Sequence, residues 1–215
     1  LYLLVPLMGF TRPGVLAFSL FLALYGIWRW MQRRNDPLPL SHIVHIVVLG
    51  LWALLVGFSW QIIAGLVTGD PGAYLTTELS WRIAWVGDGP FIPFVAWVQA
   101  AEFWFTQWGL GNVTGYVVLA ALVLAFAAAL IWLPAVRRLG VEVRLWAAAY
   151  AVYLLAVFFP QSSVFRLLFP LSPLWGAFAV PRSPWWRGGV LVACLIGQWW
   201  WIFTMYGVGN QYWQV

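Results

Sequence analysis

Long apolar runs separated by short polar loops make up most of the chain. Residues 113–136 form one continuous apolar run without the apolar–polar alternation of a membrane β-barrel. Because lipid offers no hydrogen-bond partners, a backbone that crosses it must pair its own N–H and C=O groups, as a helix does. The pattern therefore predicts an all-α, polytopic integral membrane bundle with about six to seven hydrophobic segments. These segments are residues 1–10 (part of a helix), 14–30, 42–67, 113–136, 144–160, 165–180 and 188–206.

Two regions depart from this simple pattern. Pro170, Pro173 and Pro181 interrupt the sixth segment, which we expect to be kinked, short or re-entrant. The longest connection, residues 68–112, carries many aromatic residues and a glycine- and proline-rich turn at 87–90. This loop predicts a pair of interfacial helices, over residues 71–86 and 92–108.

Composition supports a membrane protein. The chain is 64% hydrophobic and 8% charged, whereas soluble domains carry about 25% charged residues. The same values exclude disorder. A lone cysteine, Cys194, excludes a disulfide framework. The first apolar run, too short to span about 30 Å of hydrocarbon, reads as the tail of a helix. We therefore expect 1–215 to be a single transmembrane domain, the C-terminal portion of a longer protein.

The charges predict an orientation. If each segment crosses once, one side holds eight arginines and the other side holds Arg12, Arg82 and Arg166. By the positive-inside rule the first side is cytoplasmic, and residues 68–112 face outward or toward a lumen. This topology explains the basic excess better than binding of nucleic acid, which we do not expect. The predicted location is the plasma membrane or the endoplasmic reticulum, with multiple spans. The eight arginines are Arg29, Arg33, Arg34, Arg137, Arg138, Arg144, Arg182 and Arg187.

A first polar cluster lies in the outward loop. Tyr74, Glu78 and Arg82 are spaced i, i+4, i+8 and would share one helix face, on which Glu78 and Arg82 could pair. Asp70 could cap that helix, with Pro71 at its first position. The cluster is therefore either a capped interfacial helix or one polar wall of an outward-facing site.

A second cluster, Ser162, Ser163 and Arg166, precedes the proline-rich segment. Two hydroxyls and a guanidinium at a helix start could bind an anion, phosphate in particular. The alternative is an arginine that extends to the interface, with a serine as the helix cap. His42 and His45 share a helix face, but only Asp36 is near as a further ligand, so a structural or interfacial role is favoured and no metal site is expected.

These two clusters resemble the PIG-V-type mannosyltransferases, which belong to the multi-span GT-C class of glycosyltransferases. Residues 69–74 read G-D-P-G-A-Y and lead to Glu78, Trp81 and Arg82, similar to the family's G-D-P-x-A-[FY] and Q-x-x-W-x-R-like patterns. Residues 162–171 are similar to its S-x-x-R-[YF]-x-x-x-x-F-P-L stretch, although Phe165 precedes Arg166 here rather than following it.

The resemblance implies transfer of mannose from a polyprenyl-phosphate carrier to an acceptor on the outer or luminal side. It implies a catalytic acidic residue in an early outward loop, near the N-terminal end of the family's proteins. We expect that part to lie outside this chain, so the catalytic residue stays unassigned here. Asp70, Glu78 and Asp88 are candidates to line the site, and Arg166 with Ser162 and Ser163 is the candidate phosphate ligand. The expected partners are membrane lipid, the lipid-linked donor and a protein partner or missing N-terminal half. No further cofactor is implied.

Two other functions fit the sequence. The first is a non-catalytic membrane subunit that packs in a larger complex, which tryptophan-rich, charge-poor helices favour. The second is a transporter or lipid-handling protein. That reading requires a polar path, and the spans contain few polar residues beyond Ser59, Gln61 and Gln198.

Overall fold

The computed structural model describes residues 1–11 and 14–207, apart from the side chains of residues 84 and 85, and all regular structure within those ranges is helical. A 3₁₀ segment, Phe169–Trp175, lies between α11 and α12. The α-helices are α1 Leu4–Thr11, α2 Val15–Gln32, α3 Leu40–Gly57, α4 Ser59–Thr68, α5 Ala73–Ser80, α6 Ile83–Val86, α7 Val95–Gln107, α8 Asn112–Trp132, α9 Pro134–Arg137, α10 Val141–Val157, α11 Val164–Leu168, α12 Gly176–Ala179 and α13 Pro184–Met205.

Four helices, α2, α3, α8 and α13, are long and apolar enough to cross a membrane. The prediction of an all-helical membrane protein is confirmed at that level. The number of six to seven segments stays a prediction, because the apolar stretches Ser59–Thr68 and Val164–Ala179 are shorter. The segment predicted over 42–67 is two helices that meet at Phe58.

Helix α2 packs between α3 and α10. It forms a hairpin with α3, and Val5 of α1 joins their shared apolar core. Its other face packs against α10, where Ala17 is fully buried against Tyr150 and Leu154. Phe21, one turn further along α2, contacts Trp146 with ring centroids 6.1 Å apart. The two helices are therefore antiparallel.

The proline-rich segment is a broken helix that runs back along α10. In a 3₁₀ helix each carbonyl accepts from the N–H three residues on. Pro170 and Pro173 have no N–H, so the carbonyls of Leu167 and Pro170 lose those donors. Aromatic side chains of α10 replace them: the Tyr150 hydroxyl donates to Leu167 O (2.7 Å) and Trp146 Nε1–H donates to Pro170 O (2.8 Å).

The 3₁₀ geometry also lengthens this segment. A 3₁₀ helix rises about 2.0 Å per residue against 1.5 Å for an α-helix. With 5 residues in α11, 7 in the 3₁₀ segment and 4 in α12, the stretch extends over about 27 Å. It ends beside α9, where Gly176 approaches Leu139. The predicted interruption by proline is thus observed as a broken helix, which extends from one end of the bundle to the other.

We expect Tyr150→Phe to lower the free energy of unfolding by about 1–2 kcal/mol, because it leaves the Leu167 carbonyl without this donor. Denaturation in mixed micelles would measure the change. Tyr25→Phe in α2 is the matched control, since the Tyr25 ring stacks on Phe21 and Trp28 and its hydroxyl bonds to no residue within the described ranges. Equal losses in the two variants would contradict this role for Tyr150.

The helices define two ends of the bundle. We call one the site end, formed by residues 69–111 and 158–163. The other is the arginine-rich end, formed by the connections 33–39, 138–140 and 180–183. At the site end α7 is anchored to the end of α10, because Phe94 N–H donates to Ala156 O (3.1 Å) and Trp97 Nε1–H donates to Leu154 O (2.8 Å).

The helix pair predicted in the 68–112 loop is present with different bounds. The first member is divided into α5 and α6, and the second is α7. Helix α7 also packs closely against the start of α8, where Gly115 faces the Ala101 carbonyl. The other face of α7 buries Ala96, Ala100 and Trp104 against Phe159. This packing on both sides fixes the position of α7 at the site end.

Candidate functional site

The break between α5 and α6 places Arg82 in the interior of the site end. Arg82 is only 8% exposed. Its backbone N–H bonds to Leu79 O, three residues earlier, and its carbonyl accepts from Val86 N–H, each at 3.1 Å. Within the ranges that the structure describes, its guanidinium has no hydrogen bond and no ion pair. Arg82 is therefore a largely covered residue whose guanidinium nitrogens still reach solvent and pair with no group in the described part of the chain.

Arg82 lines a small cleft between α5, α6 and α7, of about 40 Å³. The 87–90 turn closes one side, with Gly87 at a φ of 77°, a conformation that favours glycine. Two other polar side chains line the same cleft, those of Asp88 in the turn and Gln99 on α7. The cleft thus brings together a guanidinium, a carboxylate and an amide.

The electrostatics favour binding of an anion. Burial lowers the pKa of the Arg82 guanidinium below its usual range, because desolvation disfavours the charged form. Arginine nevertheless stays protonated in proteins. An anionic ligand in the cleft would supply the missing counter-charge, and phosphate oxygens suit the geometry of a guanidinium.

The remaining residues of the first cluster lie outside this cleft. The Asp70 carboxylate accepts from Gly72 N–H (2.8 Å), and the N-cap of α5 is Gly72 rather than Asp70. Tyr74 is half-buried, and its pKa is raised by desolvation and further by the charge of Glu78. Asp70 and Glu78 are exposed, so these two predicted lining residues do not line the cleft with Arg82.

Two details of the first cluster were predicted incorrectly. Helix α5 ends at Ser80, so Arg82 does not continue the helix face of Tyr74 and Glu78. The ion pair expected between Glu78 and Arg82 is not formed, since the structure places no carboxylate of its described part within ion-pair distance of Arg82. The break in the helix turns Arg82 inward, whereas Glu78 stays in solvent.

The second cluster is near the first but does not reach the cleft. Ser162 is 9% exposed, and its backbone carbonyl accepts from the Tyr206 hydroxyl (3.1 Å). Ser163 is the N-cap of α11 without a side-chain capping bond, so the alternative of a serine cap is not observed. Arg166 is exposed and does not line the cleft.

The two clusters meet through aromatic residues. Trp81 packs edge-on against Phe159, with centroids 5.8 Å apart, and Trp104 Nε1–H donates to Pro160 O (2.9 Å). Both contacts join the 158–163 segment to the elements that surround Arg82. The contact at Trp81 reaches Phe159 next to the second cluster, while Ser162, Ser163 and Arg166 contribute no wall of the cleft.

Sequence reasoning missed Gln99. The available signal was its position as a polar residue on the apolar helix 92–108. In the part of the chain that the structure describes, no group of three His, Cys, Asp or Glu residues could hold a metal ion. His45 Nδ1 instead lies 3.1 Å from the Tyr2 hydroxyl.

Comparisons with known proteins identify no relative. No family model, no curated protein and no solved structure matches the chain.

Proposed function

We propose that the chain is part of a membrane glycosyltransferase that takes a sugar, mannose by resemblance, from a polyprenyl-phosphate donor. The reaction would take place at the site end, on the extracytoplasmic or luminal face of the plasma membrane or endoplasmic reticulum. The observation that carries the proposal is the guanidinium of Arg82, which lines a cleft at this end and has no partner among the described residues.

In the proposed reaction an acceptor hydroxyl attacks the anomeric carbon of the sugar. A new C–O bond forms, the bond from that carbon to the phosphate oxygen breaks, and its electron pair leaves with the polyprenyl phosphate. Arg82 would stabilise the negative charge that develops on the departing phosphate, because a cation already held in position needs little reorganisation. The proton of the acceptor hydroxyl would pass to a base, and Asp88 is the carboxylate that lines the cleft.

Aromatic residues beside the polar cleft fit a lipid-linked donor. A polyprenyl carrier stays in the bilayer, so its enzyme must receive it laterally between helices. The interface-side aromatic residues of α7 and of the 158–163 segment lie beside the cleft region, where Trp104 and Phe159 pack together. Arg166, exposed at the same end with Ser162 and Ser163, is proposed as an outer contact for the phosphate.

Helix α13 favours one alternative, a non-catalytic subunit that packs in a membrane complex. Among its described residues only Met205 is buried, and Trp185 and Trp199 are 89% and 65% exposed. Both faces of this helix are therefore available to lipid or to a protein neighbour. Purification from native membranes with one partner at fixed stoichiometry would support this alternative.

A transfer assay tests the proposed function. Membranes that contain the natural polypeptide with these residues are supplied with labelled mannose on polyprenyl phosphate, or with the same sugar on a soluble nucleotide. We expect label to reach an acceptor from the lipid-linked donor alone. Two outcomes would overturn the proposal. One is transfer at equal rates from the nucleotide sugar when synthesis of polyprenyl-phosphate mannose is blocked. The other is no transfer from either donor.

A further inference from the structure

Four arginines form an exposed basic patch at the arginine-rich end. Two lie at the end of α9 and two lie on either side of the α13 start. We call them the basic patch: Arg137, Arg138, Arg182 and Arg187. The structure gives their side chains no hydrogen bond and no ion pair with any residue in its described ranges.

Packing brings the two halves of the patch together. Val136 and Ala177 are buried in one apolar cluster, and Leu139 approaches Gly176. On the other side Trp186 Nε1–H donates to Phe178 O (2.9 Å), which fixes the start of α13 against α12. The patch is therefore a surface formed by segments that are distant in sequence, rather than a charged run in one loop.

The neighbouring connection at the same end carries less charge, because one of its three arginines is paired with a carboxylate. Arg29 forms an ion pair with Asp36, and Arg33 lies over the Trp30 ring at 4.1 Å. Near the basic patch the acidic side chain is Glu142, whose carboxylate lies toward Gly140. One carboxylate against four guanidinium groups leaves the patch with a strong positive charge.

Two exposed tryptophans at helix ends flank the patch. Trp132 ends α8 at 69% exposure, and Trp185 begins α13 at 89% exposure. Tryptophan at the ends of apolar helices concentrates at the membrane–water interface. The four arginines lie within about two turns of these tryptophans along the chain, so we expect them near the level of the lipid phosphates.

We infer that the basic patch binds the headgroups of anionic phospholipids. Charge complementarity and the interfacial tryptophans identify this ligand, since each Arg near an anionic membrane surface contributes about 1 kcal/mol of attraction. Guanidinium groups from two packed segments can contact one phosphodiester bidentately. This inference does not depend on the proposed sugar transfer.

Lipid titration of the purified chain in detergent, followed by native mass spectrometry, tests the inference. The probes are dioleoyl phosphatidylglycerol, dioleoyl phosphatidylcholine and inorganic phosphate. We expect phosphatidylglycerol to bind at least tenfold more tightly than phosphatidylcholine. Inorganic phosphate at the same concentrations should not displace it, because the headgroup is held at the interface together with its acyl chains.

Two double variants with the same change in charge distinguish lipid binding at the patch from a general effect of the protein's positive charge. R138Q/R182Q should weaken phosphatidylglycerol binding about 30-fold, and R33Q/R34Q, from the connection outside the patch, by less than threefold. R138K/R182K should retain binding, which distinguishes loss of charge from loss of fold. Equal losses in the two Gln variants, or no preference for the anionic lipid, would overturn the inference.

Discussion

Arg82→Met is expected to keep the protein at least as stable as wild type while it lowers sugar transfer 100-fold or more. The stability follows because the Arg82 guanidinium bonds to no residue in the part of the chain that the structure describes, so its loss breaks no contact there. Methionine has a similar length, and it removes the cost of desolvating the charged group of a residue that is 8% exposed. The transfer defect follows because loss of one group that stabilises transition-state charge typically costs about 10²–10³-fold in rate.

The Arg82 experiment combines thermal unfolding with the transfer assay. Arg82→Lys keeps the charge but not the paired donors, so we expect it to recover only part of the activity. Arg138→Met is the matched control, since Arg138 is exposed at the arginine-rich end; its transfer rate should stay close to wild type. A strong loss of stability in Arg82→Met would instead mean that Arg82 supports the fold.

The second large effect is expected at Gly115, where α8 passes against α7. A Cβ atom at this position would lie 2.6 Å from Ala101 O and 3.0 Å from Ala101 C. These are backbone atoms that cannot rotate away, so the hairpin must open. We expect Gly115→Ala to lower the free energy of unfolding by about 1–3 kcal/mol, and Gly115→Val by more.

Gly188→Ala and Gly189→Ala in α13 are the controls for Gly115. A Cβ at either position has no atom within 4 Å. Alanine there should leave stability unchanged or raise it by about 0.5–1 kcal/mol, because alanine is the better helix former. Opening of the hairpin should also reduce transfer, since α7 carries Gln99 into the cleft. A Gly115→Ala variant as stable as these controls would contradict the close packing.

The sequence predicted the long helices because a membrane span requires an extended apolar run. Residues 113–136 and 188–206 accordingly correspond to α8 and α13. It predicted the proline interruption as well, since missing N–H groups break a helix in any context. The position of each of these features is a property of the local sequence.

The interior of the site depends on contacts that local pattern does not contain. The i, i+8 argument for Arg82 assumed one helix through 71–86, and the break at residues 81–82 reversed the direction of that side chain. Gln99 belongs to the cleft only because α7 packs over the 87–90 turn. Phe159 meets Trp81 through tertiary folding. These relations required the assembled structure.

The aromatic bonds to the broken helix also fix its register. The two carbonyls that lack 3₁₀ donors are three residues apart, and Tyr150 and Trp146 on α10 stand at matching heights. A slide of one residue would bring other carbonyls to these donors and leave both proline-freed carbonyls unpaired in an apolar setting, at a cost of several kcal/mol. We therefore expect the segment to stay rigid and not to slide along α10. Any movement that admits a substrate must then occur beyond its ends.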